Sequence, residues 1–529
     1  MSKASTYPER KKAAMYTKIE NKQNIVAGLM VFMVICIQPL YFNSKRYIGL
    51  TGHKYTFFVI YMVIILLAAA IIWLVRICNK PRLGIRERPY LADWAVLGLA
   101  AVTLISSLLS PYKDIMNVWV GIPEPYGRYD GAITQLLYIA VFLITAHWYK
   151  PRERHFIYFG ISAILISLIG IFQFYGMDFF KLWPVDIPEY RVDNLYNIYF
   201  RSTLGNVNIV STYVCVSMLL CGFLYVKMKS KWASLWLAAS ALSFWLMLLA
   251  DSDSGKVGLL VAMLLSIPFI IESRKTIGRT LIMGSSWAAA FILQSLFYDV
   301  MILKSRTITG LLPFILAAIV LLVVGIMLLR AGKEATRESP VRWKLGVFLI
   351  VLCIVAGVAG VEVLGRRDAA EDNPGGILYE LREILHGNVQ DEFGTNRAYI
   401  WRIALEEYPK NPVIGTGPDT FEHVFPAEAQ LKYDEVYDNA HNEYLQILIC
   451  LGALGLICYL VFLFASLFKA IPKALKNPLL MAVSAAFVGY CVQAFFNISM
   501  PAIGQMPWVL AGILANKQAH ENSEFGMQN

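Results

Sequence analysis

Apolar residues occur along this chain in runs of about 20, separated by shorter polar segments. A helix of that length matches the hydrocarbon core of a bilayer, which is about 30 Å thick. We count about fourteen such runs, which predicts an all-α polytopic membrane protein of about fourteen transmembrane helices. The predicted spans are residues 24–42, 55–75, 90–110, 131–149, 155–175, 209–227, 232–250, 256–272, 280–298, 307–329, 345–364, 442–468, 477–498 and 499–515.

Basic residues cluster in alternate loops between these runs, starting from the N-terminal segment PERKKAAMYTKIENK. Short cytoplasmic loops retain Lys and Arg, so the asymmetry predicts that both termini are cytoplasmic. The other predicted inner clusters are RICNKPRLGIRER, KPRER, KMKSK, SRKTIGR and KEATRESPVRWK.

This topology predicts five segments along the chain. They are a basic cytoplasmic N-terminus (1–23), a membrane domain of about eleven spans (24–364), a large extracytoplasmic loop (365–440), a membrane domain with the last three spans (441–515) and a cytoplasmic tail (516–529).

The composition agrees with this pattern. Hydrophobic residues make up 57% of the 529 residues, only 16% are charged, and the mean hydropathy is +0.55. A water-soluble domain of this size needs more polar surface to cover its core. The net charge of +10 therefore indicates orientation and contact with membrane lipids rather than binding to nucleic acid. None of the eight cysteines lies in the loop 365–440, so no disulfide framework or cysteine metal site is expected there.

Polar residues concentrate in three predicted outer segments: residues 110–130, 176–208 and 365–440. In the last, NRAYIWRIALEEYPKNP has helical spacing and a proline stop, and GTGPDTFEHVFP has the glycine and proline content of a turn. A loop of this length with its own helices is usually functional.

A polar cluster around His441 stands directly before the twelfth run, in YDNAHNEYLQILICLGALGLICYL. A histidine titrates near neutral pH, so it is a candidate general base at the membrane boundary. Asn442 and Gln446 are four residues apart and share a helix face with each other. The glycines of LGALGLICYL are predicted to be helix-packing positions.

Several of these stretches resemble one known family. GTGPDTFEHVFP followed by HNEYLQILICLGALG resembles the signature of the O-antigen ligase and O-antigen polymerase superfamily, in which a large outer loop leads into a late membrane helix. YGRYDG, RSTLGNVN and DSGKVGLL resemble earlier motifs of that family and follow the same order. The resemblance implies a fold similar to GT-C membrane glycosyltransferases.

The resemblance covers about residues 90–515. The sequence departs from the family pattern at Lys256, where arginine is common. Lysine keeps the charge but loses the planar fork that binds phosphate through two parallel hydrogen bonds. Val207 stands where proline often lies between the two asparagines.

The resemblance implies an activity. Members of this superfamily move a glycan from a polyprenyl diphosphate carrier to a hydroxyl of a glycan, lipid or protein acceptor, at the outer face of the bacterial cytoplasmic membrane. Ligation to an anchor and polymerisation of repeat units share this chemistry, so the resemblance does not identify the acceptor. No metal or other cofactor is implied, because fixed cations can stabilise the diphosphate leaving group.

The resemblance also assigns roles. His441, Arg201 and Lys256 are the candidate catalytic residues: the histidine as base, the two cations on the diphosphate. The candidate substrate-binding residues are Arg128, Arg397, Trp401, Asn442 and Gln446.

Each assignment has a structural alternative. His441 also fits a solvated interfacial residue, and Asn442 and Gln446 fit polar capping of a helix start. A lysine that begins a span, as Lys256 does, often extends to the lipid headgroups.

The arginines have structural alternatives of their own. Arg201 has Asp193 and Glu189 as candidate ion-pair partners. For Arg397 and Arg402, the candidate ion-pair partners are the acidic residues Asp391, Glu406 and Glu407.

A flippase for lipid-linked oligosaccharides, or another transporter, is the alternative function. Transporters place ionisable groups within their spans, whereas the span centres here are nearly free of them. The long loop 365–440 also favours an enzyme.

Overall fold

The computed structural model describes residues 7–78, 89–115, 117–123, 127–182, 201–250, 252–302, 308–331, 339–370, 376–433 and 437–521. These residues are helical and contain no strand, as the pattern of runs predicts. Parts of the clusters RICNKPRLGIRER and KEATRESPVRWK lie outside the described residues, as do Asp193 and Glu189.

Sixteen longer helices make up the described fold. They are α1 (Tyr7–Phe32), α2 (Leu50–Cys78), α3 (Leu91–Leu109), α4 (Ala132–Trp148), α5 (Glu153–Phe174), α6 (Val207–Lys227), α7 (Ala233–Ala250), α8 (Asp253–Leu265), α9 (Arg274–Ile302), α10 (Ile308–Arg330), α11 (Ser339–Ala370), α12 (Ile377–Leu385), α13 (Arg397–Glu407), α14 (Glu443–Ala474), α15 (Pro478–Gln493) and α16 (Met506–Ala515). Helix α1 continues through a π-helical turn, Met33–Ile37, into Gln38–Leu40. The remaining short elements are Ile267–Ile270, Tyr408–Lys410, Phe421–Val424, Ala427–Leu431, Ala494–Phe496 and Lys517–Glu521.

Among the described residues, 11 helices are long and apolar enough to cross a membrane. Helices α4 and α16 are apolar but shorter, with 17 and 10 residues. The predicted span 256–272 is divided, because α8 ends at Leu265 and the separate turn Ile267–Ile270 carries Pro268, which has no N–H to continue the ladder. The protein is thus a multi-pass membrane protein, and the total of about fourteen spans stays a prediction.

Helix α6 forms the centre of the bundle. All its residues from Ile209 to Val226 are buried, and it packs against α7, α8 and α15. Helix α11 lies at the periphery, where its most apolar stretch has no buried residue, although Arg342 near its start is buried. The elements that reach α6 are therefore the ones held most firmly in place.

Helix α14 is broken inside its span. Gly452 has φ 67° and ψ −174°, which are not helical angles. The loop before α14 fills the gap: Gly417 N–H donates to the carbonyl of Cys450 (2.9 Å), and Ala453 N–H donates to the carbonyl of Pro412 (2.8 Å). Unbonded backbone groups are costly at membrane depth, so the loop supplies the bonds that the broken helix loses.

Two glycines allow this contact. Gly415 also has φ 67°, and a Cβ atom on it would lie 2.3 Å from the carbonyl carbon of Cys450. A Cβ atom on Gly452 would lie 2.3 Å from the carbonyl carbon of Val413. We call residues 412–417 and 449–454 the backbone latch. The helix-packing role predicted for the glycines of LGALGLICYL is wrong for Gly452, which instead lets two main chains touch.

Candidate functional site

Helix α14 begins at a side-chain cap. The Oδ1 atom of Asn442 accepts hydrogen bonds from the backbone N–H groups of Tyr444 (3.0 Å) and Leu445 (3.1 Å). The side-chain oxygen of Asn442 is therefore used in the helix start. Gln446 accepts a hydrogen bond from the N–H of Ala440 (3.0 Å), which closes the turn before the helix.

His441 lies in that turn with a left-handed backbone, φ 47°. Its N–H donates to Oδ1 of Asn439 (2.8 Å), which helps to hold this conformation. Its ring nitrogen Nδ1 is buried and has no hydrogen-bond partner among the described residues. Burial, with the nearby charge of Arg397, lowers the pKa of His441 to about 4. At neutral pH the imidazole is uncharged and can accept a proton.

Helix α13 packs against this turn. The indole Nε1 of Trp401 donates to the carbonyl of Ala440 (2.9 Å), and the Trp401 ring lies 6.2 Å from that of Phe496. Trp401 thus positions the backbone next to His441.

Arg397 and Arg402 lie on the same helix but differ in their partners. Arg402 pairs with Asp391 (2.9 Å) and Glu406 (3.0 Å), as its sequence neighbours predict. Arg397 forms no ion pair with a described residue. Burial lowers the pKa of Arg397, although the negative charge of Asp253 acts to raise it. We call Arg397, Trp401, His441, Asn442 and Gln446 the rim cluster.

The N-terminus of α8 lies near the rim cluster, because Asp253 acts electrostatically on Arg397. Lys256 pairs with Asp253 (2.9 Å), and 38% of its side chain is exposed. Ser252 donates to Oδ1 of Asn208 (3.1 Å), which joins the start of α8 to the start of α6. Two of the motifs found in the sequence are therefore in contact.

Arg201 begins the turn that leads into α6. Its backbone N–H donates to Oε1 of Gln173 at the end of α5 (3.0 Å), and its charge acts on Tyr47 in the turn before α2. Neither of these partners belongs to the rim cluster.

Arg128 is buried inside the protein between two carboxylates. Its guanidinium contacts Asp419 at 2.6 Å and Asp438 at 3.5 Å, and only 3% of its side chain is exposed. Burial opposes its charge, but the two carboxylates outweigh that effect and raise the pKa of Arg128. Asp419 also accepts a hydrogen bond from the N–H of Ile122 (2.6 Å). The ion pair therefore ties the segment before α4 to the turn that follows Gly417.

A cavity of about 50 Å³ adjoins this ion pair; its lining is mostly apolar, with Asp130, Glu443 and Gln446 among its polar residues. Glu443 accepts hydrogen bonds from the hydroxyls of Tyr459 (2.5 Å) and Tyr490 (2.6 Å). Burial, with the charges of Asp419 and Glu443, raises the pKa of Asp130 well above its ordinary value. Among the described residues, no group of three or more His, Cys, Asp or Glu side chains is placed to hold a metal ion.

Residues 296–460 match the model of a protein family described as O-antigen ligase. This matched region, about a third of the chain, is thus similar to O-antigen ligases. This confirms the resemblance of the sequence to the O-antigen ligase and polymerase superfamily, and with it an enzyme of the glycosyltransferase type. No curated protein matches the sequence.

The matched region, residues 296–460, contains the whole rim cluster but not Arg128, Arg201 or Lys256. Sequence reasoning did not identify Asp130, Asp419 and Glu443 as parts of this region. Asp419 follows Gly417 and Pro418 within GTGPDTFEHVFP, and Asp130 lies within YGRYDG, so the motifs themselves contained the signal.

Proposed function

We propose that this O-antigen ligase-family protein transfers a glycan from a polyprenyl diphosphate carrier to an acceptor hydroxyl, at the outer face of the cytoplasmic membrane and without a metal. One observation carries the proposal. His441 is neutral and has an unpartnered buried nitrogen, and beside it Arg397 has no ion-pair partner among the described residues. A base and an anion-binding cation are the two groups that such a transfer needs.

The donor diphosphate is assigned to the cations. Arg397 supplies a planar guanidinium, which suits phosphate oxygens, and Lys256 and Arg201 add charge in this proposal. Helices α8 and α13 begin nearby, and the N-terminal end of a helix carries partial positive charge. These groups stabilise the negative charge that develops on the leaving group.

The acceptor hydroxyl is assigned to His441. The hydroxyl oxygen bonds to the anomeric carbon, the bond from that carbon to the diphosphate oxygen breaks, and the electron pair leaves with the diphosphate. The hydroxyl proton passes to His441 and then to solvent. A bound anionic diphosphate raises the pKa of His441 from about 4 towards neutral, which makes it a stronger base in the complex.

Arg397→Gln is expected to lower kcat/KM for the lipid-linked donor by about 10- to 100-fold, because a charge-assisted hydrogen bond to phosphate is lost. Arg402→Gln is the matched control: it lies on the same helix, but its guanidinium is already paired with Asp391 and Glu406. The measurement is glycan transfer by purified protein in detergent. Equal losses in both variants would show that α13 has a structural role only.

Formation of a glycosidic bond separates the enzyme from a flippase. Purified protein, donor and acceptor should release free polyprenyl diphosphate in proportion to the glycan transferred, whereas a flippase would leave the donor intact.

In a strain without the protein, accumulation of single lipid-linked repeats indicates a polymerase. Accumulation of full-length lipid-linked polymer indicates a ligase. If neither accumulates and no carrier is released, the proposed transfer is wrong.

A further inference from the structure

A cleft of about 240 Å³ lies between α1 and α5, far along the chain from the rim cluster. Its mouth is at the segment KPRER, one of the predicted inner basic clusters. Ile25 and Leu29 form the α1 side and are 67% and 52% exposed. The rings of Phe32 and Tyr158 meet edge to face with centroids 5.7 Å apart. The cleft is therefore apolar along its length and basic at one end.

The basic end is not neutralised by the described part of the chain. Arg152 and Arg154 are exposed, line the cleft and form no ion pair with a described residue. Glu153, which lies between them, instead accepts a hydrogen bond from the Ser230 hydroxyl. Arg152 stands at the N-cap position of α5 without a side-chain capping hydrogen bond, so the positive end of that helix adds to the field. This end of the cleft favours an anion.

A buried histidine faces the same cleft. His155 is 8% exposed, and its Nδ1 is hydrogen-bonded to the Tyr149 hydroxyl (2.8 Å). No described residue forms a hydrogen bond with the other ring nitrogen, Nε2. Gly28 lies opposite, where a Cβ atom would stand 3.7 Å from Nε2. If the hydroxyl of Tyr149 donates to Nδ1, Nε2 carries the proton and offers it to a ligand.

We propose that this cleft binds an anionic phospholipid from the cytoplasmic leaflet. The phosphate is held by Arg152, Arg154 and the Nε2–H of His155, and an acyl chain follows Ile25 and Leu29. Basic pockets between helices on the cytoplasmic side attract anionic headgroups. The apolar length of the cleft selects a lipid over free phosphate, because only the lipid brings a chain to cover it.

The test measures lipid binding by native mass spectrometry of the full-length protein in detergent. We expect phosphatidylglycerol to bind more tightly than phosphatidylcholine with the same acyl chains. The double variant Arg152→Gln with Arg154→Gln should weaken phosphatidylglycerol binding by about 10- to 30-fold. The control double variant, Arg274→Gln with Arg330→Gln, removes two exposed charges elsewhere and should change little. Equal losses in the two double variants would overturn the proposal.

A second variant tests the cleft without a change of charge. Gly28→Phe has room for its Cβ atom and places a ring in the cleft, so it should also weaken phosphatidylglycerol binding. Millimolar inorganic phosphate should not displace the lipid from the wild-type protein. Undiminished binding in Gly28→Phe, or full displacement by phosphate, would contradict an acyl chain in the cleft.

Discussion

His441→Ala is expected to lower the turnover of glycan transfer by about 10²- to 10⁴-fold, the usual contribution of a general base. Binding of the lipid-linked donor should stay near wild type, because the proposed diphosphate ligands are the separate cations Arg397, Lys256 and Arg201. Turnover is measured with purified protein at saturating donor, and donor affinity is measured on the same preparation. Loss of donor binding in His441→Ala would instead place the histidine with the diphosphate.

Two controls separate proton transfer from orientation. The His441→Gln side chain can form hydrogen bonds but cannot take up a proton near neutral pH, so this variant should be almost as impaired as His441→Ala. If His441→Gln instead keeps wild-type turnover, His441 only orients the acceptor. His423→Gln changes an exposed histidine of the same loop and should keep full activity.

The pH dependence gives an independent measure. A base works only while it is unprotonated, and the pKa of His441 is lowered to about 4. Since kcat/KM reports the free enzyme, its acidic limb should fall near pH 4 rather than near pH 6.5.

Gly415→Ala and Gly452→Ala are each expected to destabilise the protein by about 2 kcal/mol or more. A left-handed backbone alone costs an L-residue about 1–2 kcal/mol. The new Cβ atom would also stand 2.3 Å from the carbonyl carbon of Cys450 or Val413, and backbone cannot move aside as a side chain can. The measurement is the thermal unfolding midpoint in detergent.

Two glycines of α11 provide the matched controls. Gly357 and Gly360 lie in a membrane helix, but a Cβ atom on either meets nothing within 4 Å. Their alanine variants should keep or slightly raise the unfolding midpoint, because alanine favours helix over glycine. If all four variants behave alike, the backbone latch does not contribute to stability.

The sequence predicts the helices better than their interruptions. Run length alone finds α6, whose residues are apolar almost throughout. Run length misses the break in α14, because a glycine among leucines is as typical of a helix-packing position as of a break in the helix. It also extends the predicted eighth span through Pro268, although α8 ends at Leu265.

For the site, local motifs identify residues but not their distant partners. The stretch around His441 and Asn442 is visible because its polar residues directly precede an apolar run. Arg128 appears as a cation available to substrate, yet it is buried against Asp419, 291 residues away. That contact depends on how two segments distant in the sequence pack against each other, and no local pattern contains it.

The backbone latch separates the attachment of residues 412–417 from most of their side chains. Its backbone hydrogen bonds join main-chain groups, so they do not depend on the side chains of Val413 or Ile414. Thr416 differs, because its hydroxyl also donates to the carbonyl of Ile449 (3.4 Å). We therefore expect Val413 and Ile414 to accept other side chains while this segment keeps its contact with α14, as long as Gly415 stays.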